Sequence, residues 1–565
     1  MAGERRALTC RDAVATVVVA VVVAAALVPC TARAAAAAAA VDRGTGIGTA
    51  AALASPTCDA HTGKVAVPTS LVPPCVSPLP RGESNGGATT AGVTATSIRV
   101  VAVLPNAEQE AAFRTRGQAL PFDAATGRPG TWEDAVHDMA APYERFFEQW
   151  RRSVEYVFYT STGSDEAAQH ADAIAIAALH PFAALAIPGG IVLQRELANK
   201  RIVVLGTPTN VEGRRQAPYR WGAFAVDTAA AEVNAGEFVA KSLVGRPAVW
   251  AGDSAMRDRT RSVAVLYPAP ESRLDFKLEY FDDAFARAAP RRTRTPVAVP
   301  YTSPTTLTSA TAEAQEQAPQ LVARLKESGA TTVVLFAVTD VVREVLARAS
   351  AQDYRPEWVI TSYALLDVNI LARTVDQEQW SHAFGLGGQL PPVVHGASGP
   401  NFGLYGWYWG QDDGTITPLL QGYMAFLYVG IHMAGPDLTP AHYRTGMFAM
   451  PPTGGAAADK VNSYEQAFGP RARLPYDEYL AIGLDAALVW WSPTTPLPAN
   501  ATGATAFAGT GTYLYVNGAQ RYQAGSFPKG LPAFFDASAS IAAVDPLPAA
   551  DVQPDYPCTG CPSEA

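Results

Sequence analysis

From residue 97 onward, apolar positions alternate between two patterns. Continuous runs rich in β-branched residues, such as SIRVVAVLP (97–105), predict buried strands. Segments with apolar residues three and four apart predict helices: Trp132, Val136, Met139, Tyr143, Phe146 and Trp150 fall on one stripe. A strand follows at 154–160, then helical SDEAAQHADAIAIAAL with Ser164 as its N-cap. AALAIPGG (183–190) and RIVVLGTPT (201–209) are two more strand-to-loop units, with helical IVLQRELAN between them. After GRPAVWAGDSAMRDRTR the alternation restarts. It predicts strand 262–268, a helix over 273–288, strand PVAVPY and a helix stopped by Gly329. Strand 331–337, helix TDVVREVLARAS and strand 357–363 then follow. TPLLQGYMAFLYVGIHMAGP reads as a buried core helix rather than a membrane span, because Gln421 and His432 interrupt it and Gly435-Pro436 ends it. EYLAIGLDAALVWW (478–491) reads as another apolar helix, and Asn517-Gly518 as a type I′ hairpin turn. Strand–helix alternation, twice over, predicts an α/β fold of two Rossmann-like lobes with parallel sheets and a cleft between them.

Composition narrows the function. Of 565 residues, 48% are hydrophobic and 17% charged, enough for large cores and incompatible with a disordered chain. Lys+Arg 43 against Asp+Glu 52 gives a net charge of -9. An acidic chain without basic blocks is a poor partner for nucleic acid, whose phosphates need clustered Lys and Arg.

The N-terminus reads as an address. Arg5, Arg6 and Arg11 precede the apolar run 13–28, and Ala32-Arg33-Ala34 suits a signal peptidase. Cys30 at the end of the run admits a lipid-anchored variant, although Pro29 fits a lipobox poorly. Export makes disulfides the favoured use of Cys58, Cys75, Cys558 and Cys561. Four cysteines allow three pairings. Cys58 with Cys75 would close a short, peripheral, Pro-rich loop; Cys558 and Cys561 form a CxxC for which a metal or redox role is the alternative.

The chain carries no phosphate loop, dinucleotide fingerprint, zinc-protease helix or nucleophile elbow. Its eight histidines show no metal-ligand spacing, and Asp412-Asp413 lies in a Gly-flanked turn. The reading is of a non-enzyme without cofactor or metal.

Several stretches, in order, resemble one family. They are TCDAHTGKVAVPTSLVPPC, GVTATSIRVVAVL, PYRWGAFAVD, GRPAVWAGD, YRPEWVITSYALLD, DQEQWSHAFG, MAGPDLTPAHYRTGMF and GTGTYLYVNGAQRY. Together they resemble solute-binding proteins of ABC transporters of the branched-chain amino acid type, in long actinobacterial form, over roughly residues 55 to 545. The resemblance implies a type 1 periplasmic-binding-protein architecture: two lobes, three crossovers, a small-molecule ligand between them and a membrane permease as partner. It implies the partition 1–34 signal peptide, 35–95 linker and Cys-closed leader, 96–250 and 411–502 lobe one, 251–410 and 503–565 lobe two and tail. A ligand-sensing ectodomain and a secreted α/β hydrolase are the alternatives.

In such folds ligands sit beyond the carboxyl ends of the strands. In lobe one this selects Gly189 and Gly190, whose N–H groups open a helix, and the hydroxyls of Thr207 and Thr209. By resemblance these loops hold a carboxylate, although the family commonly places Ser where this chain has Gly. In lobe two it selects Tyr267, Thr339, Asp340, Ser362 and Tyr363, with Asp340 as partner for an ammonium; Thr339 and Asp340 suit a helix cap equally.

Overall fold

Strand β1 (Ser97–Leu104) is buried at every position except Arg99, as a strand covered on both faces must be. The computed structural model describes residues 44–115, 122–123, 128–206, 219–226, 228–269, 276, 278–290, 293–303, 310–394, 403–410, 417–470, 477–478, 480–482, 484–501, 509–552 and 554–564. The signal segment with Cys10 and Cys30, Thr207, Thr209 and Asp412-Asp413 lie outside them. Strands β2 (Ser153–Thr160) and β3 (Ala183–Ala186) flank β1 in parallel; β4 (Val203–Gly206) and β5 (Arg220–Val226) extend the sheet beyond β3. Helices α1 (Trp132–Phe146), α2 (Glu166–Ala178) and α3 (Ile191–Asn199) lie between them in the chain. A capping box between Thr131 and Asp134 starts α1. The N-cap of α2 is Asp165, one residue beyond the expected Ser164. Trp150 shares the buried face of α1 but not its backbone. The helix ends at Phe146, and Trp150 has φ 57° with its indole N–H donated to Ile431 O at 2.9 Å.

The chain leaves this sheet through α4 (Thr228–Phe238), buried at every residue from Ala229 on and continued by one π-turn, Val239–Leu243. It packs against α5 (Glu279–Ala288) so closely that a Cβ on Gly236 would lie 2.4 Å from Phe281 O. Strands β6 (Val263–Pro268), β7 (Val297–Tyr301), β8 (Thr332–Leu335), β9 (Glu357–Thr361) and β10 (Ala383–Gly387) form a second parallel sheet in the order β7-β6-β8-β9-β10. Helices α6 (Ala310–Glu327) and α7 (Thr339–Ala351) pack side by side on it. Gly329, at φ 69°, follows the end of α6 as expected.

The chain then returns. Helices α8 (Thr417–Ala434) and α9 (Pro440–Ala449) pack into the core of the first sheet. Among the described residues no helix is long and apolar enough to cross a membrane. The described residues of 478–491, expected as a helix, fall almost wholly in strands. Strand β11 (Leu480–Ile482) pairs in parallel with β5 and completes the first sheet as β11-β5-β4-β3-β1-β2. Strand β12 (Asp485–Pro496) pairs antiparallel with β10 in the second. β12 is buried from Asp485 to Ser492 without alternation, so its apolar run carries no period to separate strand from helix. The chain therefore crosses three times between two sheets, the last time within two residues. Asp485–Pro496 belongs to the second sheet, ahead of the expected return at 503.

Asn517 and Gly518 adopt the expected left-handed conformations, at φ 54° and 62°, but make no hairpin. Strands β13 (Thr510–Val516) and β14 (Arg521–Gln523) both run antiparallel to the same edge of β12. Val489 faces Tyr515 and Ala487 faces Arg521, so two residues of β12 match six on the partner. Residues 517–520 are an insertion in one long interrupted strand. β15 (Ser540–Ile541) pairs with β13 at the outer edge.

The leader is not peripheral. Val65, Val67, Leu71 and Val76 belong to the core of the first lobe. Disulfide Cys58–Cys75 closes the leader, as expected, and Cys558–Cys561 closes the tail. Arg152 donates to the backbone carbonyls of Thr94 and Pro436, at 2.8 and 2.9 Å, and to that of Asn85. His432 of α8 lies between leader and α1: Nδ1 accepts from Glu148 N–H at 2.9 Å, so Nε2 donates to Pro74 O at 3.0 Å. That tautomer is neutral, and burial holds its pKa down at about 4.

Candidate functional site

The carboxyl ends of the first sheet carry a polar network that largely satisfies itself. Asp172, fully buried on α2, accepts hydrogen bonds from Tyr159 Oη at 2.8 Å, Ser161 Oγ at 3.1 Å and Thr162 Oγ1 at 2.7 Å. Burial, and then Asp172, push the Tyr159 phenol up to about 12. Beyond β1, Asn106 and Gln109 cap each other, and the Gln109 side-chain amide donates to Ser161 Oγ and Ser164 Oγ, both at 3.3 Å.

Gly189 and Gly190 follow β3, at φ 84° and 92°, where only glycine is at ease. The N-terminus of α3 behind them, expected to present free N–H groups to an anion, is already occupied. Gln169 Oε1 accepts from Val192 N–H at 3.1 Å and Leu193 N–H at 3.2 Å. A Cβ on Gly190 would lie 2.7 Å from that oxygen. The glycine thus makes room for an internal amide oxygen, which takes the N–H groups that an anion would otherwise meet.

The corresponding edge of the second sheet is aromatic. The Tyr267 ring, at the end of β6, lies 5.9 Å from that of Phe276. Phe276 lies 5.0 Å from Phe336 and 5.7 Å from Tyr363, at tilted and edge-on angles that favour ring pairs. Tyr301, at the end of β7, accepts from Val338 N–H at 3.3 Å through its hydroxyl. Burial, followed by neighbouring Tyr301 and Glu232, drives the Tyr363 phenol well up, so it stays protonated as a donor. Tyr267 is half-exposed; Tyr363 is buried.

Of the residues selected from sequence, Tyr267, Thr339, Asp340, Ser362 and Tyr363 all fall on this edge, because β6, β8 and β9 are adjacent and parallel. Their roles differ. Ser362 is left-handed, at φ 64°, and turns its hydroxyl to Leu386 O at 3.0 Å, a structural bond. Thr339 and Asp340 do not cap α7; the N-cap is Val338, with no side-chain bond. Asp340 pairs with Arg343 at 3.0 Å while a third of its side chain stays exposed. Thr207 and Thr209 lie outside the described residues. Sequence reasoning missed Gln169, Phe276 and Tyr301. Each acts through a neighbour distant in the chain, so no local spacing announces it.

No protein-family model matches the chain, and no curated protein matches it. Several solved structures are similar to it. A leucine-, isoleucine-, valine-, threonine- and alanine-binding protein from Brucella ovis is 10% identical, covering 77% of this chain and 97% of its own, with TM-score 0.48. A solute-binding protein of an ABC transporter from Rhodopseudomonas palustris is 9% identical over 76% of this chain and 98% of its own, with TM-score 0.43. A protein described as a branched-chain amino acid ABC transporter from Rhodospirillum rubrum is 14% identical over 70% and 97%, with TM-score 0.40. The assignment to the α/β class stands on the chain's own topology: two mainly parallel sheets, helices between their strands and three crossings.

Proposed function

We propose that this chain is an exported solute-binding protein of the branched-chain amino acid type. It captures a small polar ligand between its lobes and delivers it to an ABC permease. The observation that carries the reading is the triple crossing between two mainly parallel sheets, which lets two lobes rotate toward each other without unfolding. The two strand edges supply complementary chemistry. The first offers hydroxyls and side-chain amides, suited to an oxygen-bearing end of an amino acid, amide or small carboxylate. The second offers rings, suited to an apolar or flat body. Gly189 and Gly190 belong to the first wall, to which the sequence adds Thr207 and Thr209, outside the described residues; Tyr267, Thr339, Asp340 and Tyr363 belong to the second, with Ser362 shaping its backbone.

A thermal-shift screen against amino acids, amides, urea and small aliphatic and aromatic carboxylates tests the reading. A true ligand at 100 times its Kd stabilises the fold by about 2.7 kcal/mol. Calorimetry of variants then tests the walls. Thr207→Ala removes a charge-assisted hydrogen bond worth roughly 1.5–3 kcal/mol, a ten- to hundredfold loss for a carboxylate. Asp340→Asn weakens only ligands with a cationic amine, and Tyr267→Ala weakens those with an apolar body. Unchanged affinity in all three folded variants would place the ligand elsewhere.

A further inference from the structure

We propose a second binding site, outside the strand edges, in the cavity beneath the Cys-closed leader. It takes a small molecule that joins a protonated amine to an apolar body. The cavity has a volume of about 310 Å³ and is bounded by the leader, the C-terminal end of α1 and His432 of α8. That size is at the lower end of ligand pockets, roughly 300–1,000 Å³. Its walls are mostly apolar: Val65 and Val76 from the leader, Phe146 and Phe147 from α1.

Charge decides the ligand. Glu148 lines the cavity and forms no ion pair among the described residues. Its Oε1 accepts from Trp150 N–H at 2.7 Å. Burial raises its pKa against the weaker pull of Arg151, so a carboxylate here gains from a cation placed beside it. The other ionisable groups on the cavity do not supply one. Both ring nitrogens of His432 are engaged and the ring is neutral. The Arg145 guanidinium is held over the Phe146 ring, 5.6 Å from its centre, and donates to Thr559 O of the tail at 2.6 Å. The hydroxyls of Ser55 and Thr57, 3.4 Å apart on the leader, can accept a second N–H of the same ammonium or an ether or hydroxyl of the ligand. An acid without an ion-pair partner, in a mainly apolar cavity, suits an ammonium with a compact hydrophobic tail better than an anion or a neutral polar solute.

The site is independent of the cleft reading, and its test separates the two. The full chain is titrated calorimetrically with benzylamine, benzyl alcohol and benzoate. Benzylamine should bind at least tenfold tighter than the alcohol, and benzoate should not displace it. Glu148→Gln keeps an acceptor for Trp150 N–H but removes the charge. It should bring benzylamine down to the affinity of the alcohol, a ten- to hundredfold loss. Thr57→Trp, which fills the cavity from the half-buried leader, should abolish binding of both. Absence of benzylamine binding to the wild type, or binding unaltered by Glu148→Gln, would overturn the proposal. So would a loss seen only in Tyr267→Ala, which would move the amine to the strand edge. If Thr57→Trp does not fold by circular dichroism, the comparison of wild type with Glu148→Gln decides alone.

Discussion

The two lobes fasten their interiors by different chemistry. In the second, Arg261 and Glu357 form a fully buried two-point pair, at 2.7 and 2.8 Å, with Thr332 Oγ1 and Trp250 N–H completing the carboxylate. Arg521 and Asp485 form another, with both contacts at 2.9 Å. In the first, Arg152 turns to backbone carbonyls, His432 is neutral, and a disulfide closes the leader. Position explains the contrast. Arg261 lies two residues before β6, where the first crossing enters the second sheet, and Asp485 opens β12, where the third does. A charge pair there fixes the register of an arriving strand, because either partner left alone is costly. The first lobe has a different task. It must hold an added segment, the leader, against finished helices, and a guanidinium turned to backbone carbonyls, a neutral imidazole and a covalent link do so.

The largest effect that breaks this comparison should come from Glu357→Ala. It leaves Arg261 buried and uncompensated, and the expected loss is about 3–5 kcal/mol in urea unfolding. Hydrogen exchange should rise first in β6, β8 and β9. A loss below about 1 kcal/mol would show that the pair does not anchor the second lobe.

Next in size is the leader. Replacing both Cys58 and Cys75, 17 residues apart, by Ser should cost about 3 kcal/mol from loop closure. Increased exchange is expected in the first lobe, around Val65, Val76 and α8. A change confined to the loop itself would return the leader to a peripheral role.

The subtlest test uses acid, where the lobes should respond in opposite directions. The pKa of His432 falls from 6.5 to about 4 on folding, because burial disfavours its charged form. Its contribution is present above about pH 6.5 and is lost as pH falls toward 4. Asp367 rises from 3.8 to about 6, through burial that outweighs the Gln389 and Gly388 N–H groups and Arg521. Its contribution is present below about pH 4 and is lost as pH rises through 6. Each amounts to roughly 3 kcal/mol across its window. In melts between pH 4 and 7, His432→Gln should flatten the rise in stability with pH, and Asp367→Asn should steepen it. Slopes that move in the same direction would refute the opposition.

Much of this architecture was legible in the sequence because parallel strands covered on both faces read as β-branched runs, as SIRVVAVL does. The same burial hid β12: once both faces of a strand are covered, DAALVWW carries no alternation. The positive φ of Asn517-Gly518 was readable from residue type, but its use as an insertion rather than a turn depended on what β12 offered to pair with. At the site, chain position located the strand ends but not their partners. Gln169 fills the helix terminus behind Gly190 from a helix more than twenty residues away, and Phe276 joins Tyr267 to Tyr363 only once three strands are side by side. The Asp340–Arg343 pair was a local spacing, three residues on a helix, and stood open to reading.

The knot of contacts between leader and tail has a topological consequence. Tyr556 Oη donates to Asp59 Oδ2 at 3.0 Å, Trp407 Nε1 donates to Tyr556 O at 2.7 Å, and Arg145 reaches Thr559 O. The described chain therefore closes nearly into a ring on the outside of the first lobe. In a ring the starting point is arbitrary. A circular permutant joined through a short Gly/Ser linker and reopened at the exposed turn of Asp353 would keep both sheets and all three crossings. The order in which the lobes leave the ribosome would change, while the object they form would not.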